Sequence, residues 1–131
     1  MERLFNGECN PKQLSPLTLA FIGDGVFELF VRERLVCLAN CPVKTLHQNS
    51  VAQVRCSAQA KFMELLMPLL SEEEIAVFRR GRNANASVPK NAEPAAYHAA
   101  TGFEAMFGYL YLKGEIDRLR ELFTIICKNS C

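Results

Sequence analysis

Long apolar runs are absent. No stretch approaches the ~20 residues that a membrane-spanning helix needs, so a membrane partner is not expected. Met1 to Gln13 lack an apolar core ahead of a small-residue cleavage site, and Glu2, Arg3, Glu8 and Lys12 are spread among them. The expected location is cytoplasmic. Neither sign of charge dominates, with 15 basic against 14 acidic side chains, so bulk charge does not decide for or against nucleic acid and only local clustering can. There is no Gly-rich phosphate loop, no Ser/His/Asp order and no CxxC motif, which leaves kinase, hydrolase-triad and dithiol redox readings without support. The two histidines, His47 and His98, have no cysteine at ligand spacing and read as hydrogen-bonding residues.

Cysteine, by contrast, is plentiful: Cys9, Cys37, Cys41, Cys56, Cys127 and Cys131. In a small secreted chain six would suggest a disulfide framework, but without an export signal they are expected to be thiols. Zinc is the sharper alternative, because Cys37 and Cys41 are four apart, as are Cys127 and Cys131. Neither pair has the spacing of a zinc knuckle and both fall at helix ends, so ordinary thiols are preferred.

A chain of 131 residues suits one domain with its own core. From Ser15 onward it reads as successive helices with no period-2 alternation, which predicts an all-α class. Ser15 is a good N-cap and Pro16 suits the first helical position, and the helix they open runs to about Ala39. Its apolar residues cover nearly the whole circumference, so it is either central or half covered by a partner. A second helical stretch follows Pro42 and ends near Pro68, with Val51, Val54, Ala58, Phe62, Leu65 and Leu66 on one face. Ser71 and Glu74 frame a capping box for a short helix that stops at Gly81. The segment from Gly81 to Pro94 is the one long loop, a helix follows from Pro94 to Lys113, and the last helix docks through Ile116, Leu119, Leu122, Phe123 and Ile126.

Two acids are out of character with their surroundings. Asp24 sits within Phe21-Ile22-Gly23-Asp24-Gly25-Val26-Phe27, and Glu104 within Thr101-Gly102-Phe103-Glu104-Ala105-Met106-Phe107. Each has a glycine within two residues, although mid-helix glycine costs up to ~1 kcal/mol relative to alanine. Close helix approach is one explanation, and access for a bulky ligand or hydrated ion is the other. Each acid could instead lie on a solvated edge or pair with an arginine such as Arg32. Glu28, one turn after Asp24, is a candidate outer-shell group. Carboxylates gathered from two helices would suit a hard divalent ion, magnesium or manganese. The loop and its approach carry Arg79, Arg80, Arg82 and Lys90 with no acid between Ile75 and Ala92. With Asn83, these are candidate contacts to the phosphates of a nucleic acid, and a solvated loop is the alternative.

Leu19-Ala20-Phe21-Ile22-Gly23-Asp24-Gly25-Val26-Phe27-Glu28-Leu29 resembles the signature helix of the ribonuclease III family, whose aspartate binds metal. Gly102-Phe103-Glu104-Ala105 with Gly108-Tyr109-Leu110-Tyr111-Leu112 resembles that family's second acidic helix. Arg79-Arg80-Gly81-Arg82-Asn83-Ala84 and Val88-Pro89-Lys90-Asn91 resemble the basic loop of its mini subfamily, which lacks the double-stranded-RNA-binding domain. The resemblance implies a ribonuclease III-type helical endonuclease domain over residues 1–131. It implies a divalent-metal-dependent endoribonuclease that cuts double-stranded RNA and leaves 5′-phosphate and 3′-hydroxyl ends. Asp24 and Glu104 would be both catalytic and metal-binding, with Mg2+ as cofactor and Mn2+ as a substitute. The implied substrate is precursor 23S ribosomal RNA, which brings a ribosomal protein or pre-ribosomal particle into view as a partner.

Ala20 and Thr101 stand where the long enzymes carry further carboxylates, which predicts more water ligands and a weaker site. The alternative is a non-catalytic helical RNA-binding or ribosome-associated module that keeps the fold. A homodimer is expected on two grounds: the first helix needs covering, and two sites are required to cut both strands. Phe21, Phe27 and Phe30 are the candidate contacts.

Overall fold

A computed structural model describes residues 3–129. Within them the regular structure is helical: α1 (Pro16–Leu38), α2 (Val43–Val54), α3 (Cys56–Leu66), α4 (Glu72–Arg82), α5 (Pro94–Leu112) and α6 (Ile116–Asn129), with single 3-10 turns at Pro11–Gln13 and Met67–Leu69. The all-α expectation holds. The Ser15 hydroxyl accepts from the Thr18 amide at 3.2 Å, Pro16 opens α1, and Ala39 ends it in extended conformation. The capping box of α4 is formed in both directions. Gly114, at φ 85°, turns the chain out of α5, a left-handed conformation that costs glycine nothing.

α5 is the spine of the molecule, packed on one side by α1 and on others by α3 and α4. Phe27 of α1 meets Phe103 and Phe107 of α5 edge-to-face, with centroids 5.0 and 5.4 Å apart, and packs also on Phe62 and Phe123. This geometry is favourable for aromatic rings beyond the area they bury.

Three expectations need correction. The stretch after Pro42 is two helices, because Arg55 is extended (φ −67°, ψ 155°) and breaks it. α2 buries only Ser50, whereas α3 buries Gln59, Phe62, Met63 and Leu66, so the bend turns the second half onto the core. α4 does not stop at Gly81 but runs to Arg82, so Arg79, Arg80 and Arg82 occupy its last turn. Gly81 lies inside the helix because a Cβ there would stand 2.8 Å from Gly102 Cα. Phe27 is fully buried in the core and cannot be an intersubunit contact, while Phe21 is 84% exposed and Phe30 is half-buried against Phe107 and Phe123.

Candidate active site

Gly23 and Gly108 let α1 and α5 touch backbone to backbone. A Cβ on Gly23 would overlap the Glu104 carbonyl, and one on Gly108 would overlap that of Leu19. This close crossing brings Asp24, one residue on, to the side chain of Glu104, near enough for the two carboxyl groups to act on each other. Gly25 is different, since a side chain there would meet open space. Of the two explanations for glycine beside the acids, close approach therefore holds at Gly23 and Gly102, and an open surface holds at Gly25.

Asp24 is exposed and Glu104 is half-buried. Gln59 of α3 donates from Nε2 to Glu104 Oε2 at 3.3 Å. Burial, then the negative charge and closeness of the Asp24 carboxyl, push the Glu104 carboxyl up to about 8, opposed only by Gln59. No cation is among the groups that act on it. The nearby Cys56 thiol is also pushed up, first by burial and then by the charge of Glu104. A partly buried acid pair of this kind either shares a proton or holds a cation. Its donors are hard carboxylate oxygens open to solvent on the Asp24 side, and these fit a divalent ion that keeps most of its waters. Among the described residues no three His, Cys, Asp or Glu side chains gather to hold a metal, so the protein would supply two ligands.

Glu28 lies one turn along α1 and pairs with Arg32 at 2.7 Å, so Arg32 is engaged with Glu28 and not with Asp24. Arg79, Arg80, Arg82 and Lys90 are exposed. At 100° per residue, Arg79 points away from the buried face of α4 while Arg80 and Arg82 flank it on opposite sides. Arg80 acts on Tyr109. Arg82 lies 5.5 Å over the Phe78 ring and donates to Asn83, the residue that caps α4. Arg79, Arg80 and Arg82 thus ring the last turn of one helix, and Lys90 lies in the loop that follows it.

Two features escape the sequence. Gln59 reads as one polar position in an amphipathic helix, and its contact with Glu104 spans 45 residues. A groove of about 660 Å³ between α1, α2 and α3 is lined by Arg34, Arg55 and Lys61 with Asn49, Gln53 and Ser57, and no acid is in its walls. The expectation for His98 also changes, because its Nδ1 is buried with no hydrogen-bond partner. Cys131 lies outside the described residues, and so does its spacing to Cys127 as a structural question.

The family model for the ribonuclease III domain matches residues 17–115, a span that holds both acidic motifs and the basic segment. The chain belongs to the ribonuclease III family. Relatives described as mini-ribonuclease 3 are similar to it over most of its length. The protein from Symbiobacterium thermophilum is 51% identical over 86% of this chain and 88% of its own. That from Thermoanaerobacter sp. is 49% identical over 86% and 80%, and that from Enterococcus faecalis is 40% identical over 90% and 92%. A crystal structure of a Fusobacterium nucleatum protein superposes with TM-score 0.85 at 26% identity, covering 92% of this chain and all of the other. On these grounds the chain is an endoribonuclease of the ribonuclease III type, and the non-catalytic alternative falls away.

Proposed function

We propose that the Asp24–Glu104 pair is the catalytic centre of a divalent-metal-dependent endoribonuclease acting on double-stranded RNA. The observation that carries this is an acid pair, on the two helices that the glycines bring together, with no ion pair to either acid among the described residues and no cation acting on Glu104. A bound Mg2+ or Mn2+ would supply Lewis acidity at the scissile phosphate. Asp24, exposed, is placed to hold that ion where the backbone of a duplex can reach it, and Glu104 anchors it from the core side. Water adds to phosphorus, the bond to the 3′-oxygen breaks, and the proton passes to that oxygen. The products are a 5′-phosphate and a 3′-hydroxyl. Glu28, held by Arg32, borders the pair as an outer group. Arg79, Arg80, Arg82, Asn83 and Lys90 bind backbone phosphates, a sequence-independent grip that suits a duplex. The resemblance to the mini subfamily supports duplex in precursor 23S ribosomal RNA as the substrate.

A second copy completes the enzyme. α1 leaves Leu17, Phe21, Leu29 and Val36 exposed along one stripe, and beside it lies a recess of about 410 Å³ lined by Ile22, Gly25, Val26, Leu29, Phe30 and Tyr111, among others. Phe21 of one copy fits the recess of another related by a two-fold axis. A symmetric contact of this kind also sets two acid pairs on one duplex. Incubation of long duplex RNA with Mg2+ or with chelator tests the reading, alongside sedimentation of wild type and Phe21→Asp. Cleavage only with metal, a dimer of wild type and an inactive monomeric variant are expected. Metal-independent cleavage would refute the metal site, and an active wild-type monomer would refute the pairing.

A further inference from the structure

Gln59 is 1% exposed, on the inner face of α3 with Phe62, Met63 and Leu66. Its Nε2 donates to Glu104 Oε2, while its Oε1 is enclosed with no partner. The ionised Glu104 that would hold a cation can only accept, so the nitrogen is the amide end that meets it in that form. The enclosed carbonyl carries the desolvation cost of an unmet acceptor, a cost that leucine or methionine of similar volume would not incur. Packing alone therefore does not account for an amide at this position. What the amide does in the structure is fix one oxygen of a carboxylate that lies against Asp24. The backbone of Glu104 is already held by the crossing at Gly23, and Gln59 supplies the remaining restraint, at the end of the side chain.

We propose that Gln59 is a positioning residue of the metal site. By anchoring Oε2 it leaves the rest of the Glu104 carboxylate turned to Asp24, preorganised for a divalent cation. The proposal rests on the metal-dependent reading above. Gln59 is enclosed and does not reach RNA, so its effect is expected in metal affinity and not in duplex affinity.

The test is calorimetric titration of the RNA-free protein with Mn2+ for wild type, Gln59→Leu and Gln59→Met, together with metal-free melting and the Mg2+ dependence of cleavage. Loss of a hydrogen bond to a metal-ligating carboxylate is expected to weaken Mn2+ binding by about 10- to 100-fold and to raise the Mg2+ midpoint for cleavage in proportion. KM for duplex at saturating metal should be unchanged, and metal-free melting should be no lower than in wild type. A variant that binds Mn2+ as wild type does overturns the proposal, whether or not it melts lower. The methionine variant keeps the unbranched shape of the side chain if leucine disturbs the fold. Wild type that binds no Mn2+ would sink the metal reading itself, a result distinguishable from failure at Gln59 alone.

Discussion

Glu74 and Glu104 lie on neighbouring helices and both are withdrawn from solvent, but their surroundings are opposite. Glu74 is 4% exposed, and each of its oxygens accepts from the Arg118 guanidinium at 2.8 Å, while the Ser71 amide donates to Oε1 at the same distance. Burial works against its charge, yet the Arg118 and Ser71 hydrogen bonds outweigh it and hold the carboxyl below the ordinary value. Glu104 has one neutral donor and a negative neighbour, and its carboxyl is pushed up to about 8. The difference separates an acid satisfied within the fold from one left without a positive partner, as the proposed metal site requires.

Removing each charge should break this contrast in opposite ways. The largest effect is expected for Glu104→Gln, which keeps the shape and removes the charge from the proposed metal site. Cleavage should fall by roughly 10²- to 10³-fold, the scale of losing one electrostatic contact to a transition state, with duplex affinity retained. Single-turnover cleavage and filter binding check the two halves. A variant that cleaves near the wild-type rate would contradict the assignment.

Glu74→Gln should reverse the pattern, leaving room-temperature cleavage intact while denaturant unfolding shows a loss of about 2–3 kcal/mol. That figure lies below the usual cost of breaking a fully buried pair because Arg118 is partly exposed.

The pH dependence sharpens the comparison. Glu104 binds its proton more tightly folded than unfolded, so its contribution is fully present below the ordinary value of 4.5 and is lost as pH rises through about 8. Glu74, held low, contributes above the ordinary value and loses that contribution as pH falls through its folded-state value. Melting of metal-free protein across this range should show an alkaline-side decline that Glu104→Gln flattens and an acid-side decline that Glu74→Gln flattens. Near pH 7 divalent-ion binding should release up to about one proton per site, measured by calorimetry in buffers of different ionisation enthalpy. Binding with no proton release would show that Glu104 is already charged.

The basic end of α4 offers the mildest test. Alanine at Arg79, Arg80, Arg82 or Lys90 should weaken binding to all duplexes alike and lower the salt slope by about one unit per lost phosphate contact. An unchanged slope would place that residue away from RNA.

The contrast between the two glutamates is partly legible in the sequence. Ser71 and Glu74 form a local capping pattern, and glycine beside an acid in an apolar helix marked Asp24 and Glu104. The partners that give each acid its character were not legible. Arg118 lies 44 residues from Glu74 and Gln59 lies 45 from Glu104, and neither has a local signal. The break at Arg55 carries no glycine or proline to announce it. Gly81 reads as a stop because glycine often ends helices, but tight packing on Gly102 gives it a helical role. On α1, apolar on nearly every side, the pattern cannot say that Phe27 turns inward and Phe21 outward.

The most direct test of the acid pair is a crystal soaked in Mn2+ and measured for anomalous scattering. A peak is expected between Asp24 and Glu104, at about 2.1 Å from a carboxylate oxygen of each, and absent from Glu104→Gln. A peak elsewhere, or none between these carboxylates in a crystal saturated with Mn2+, would contradict the account.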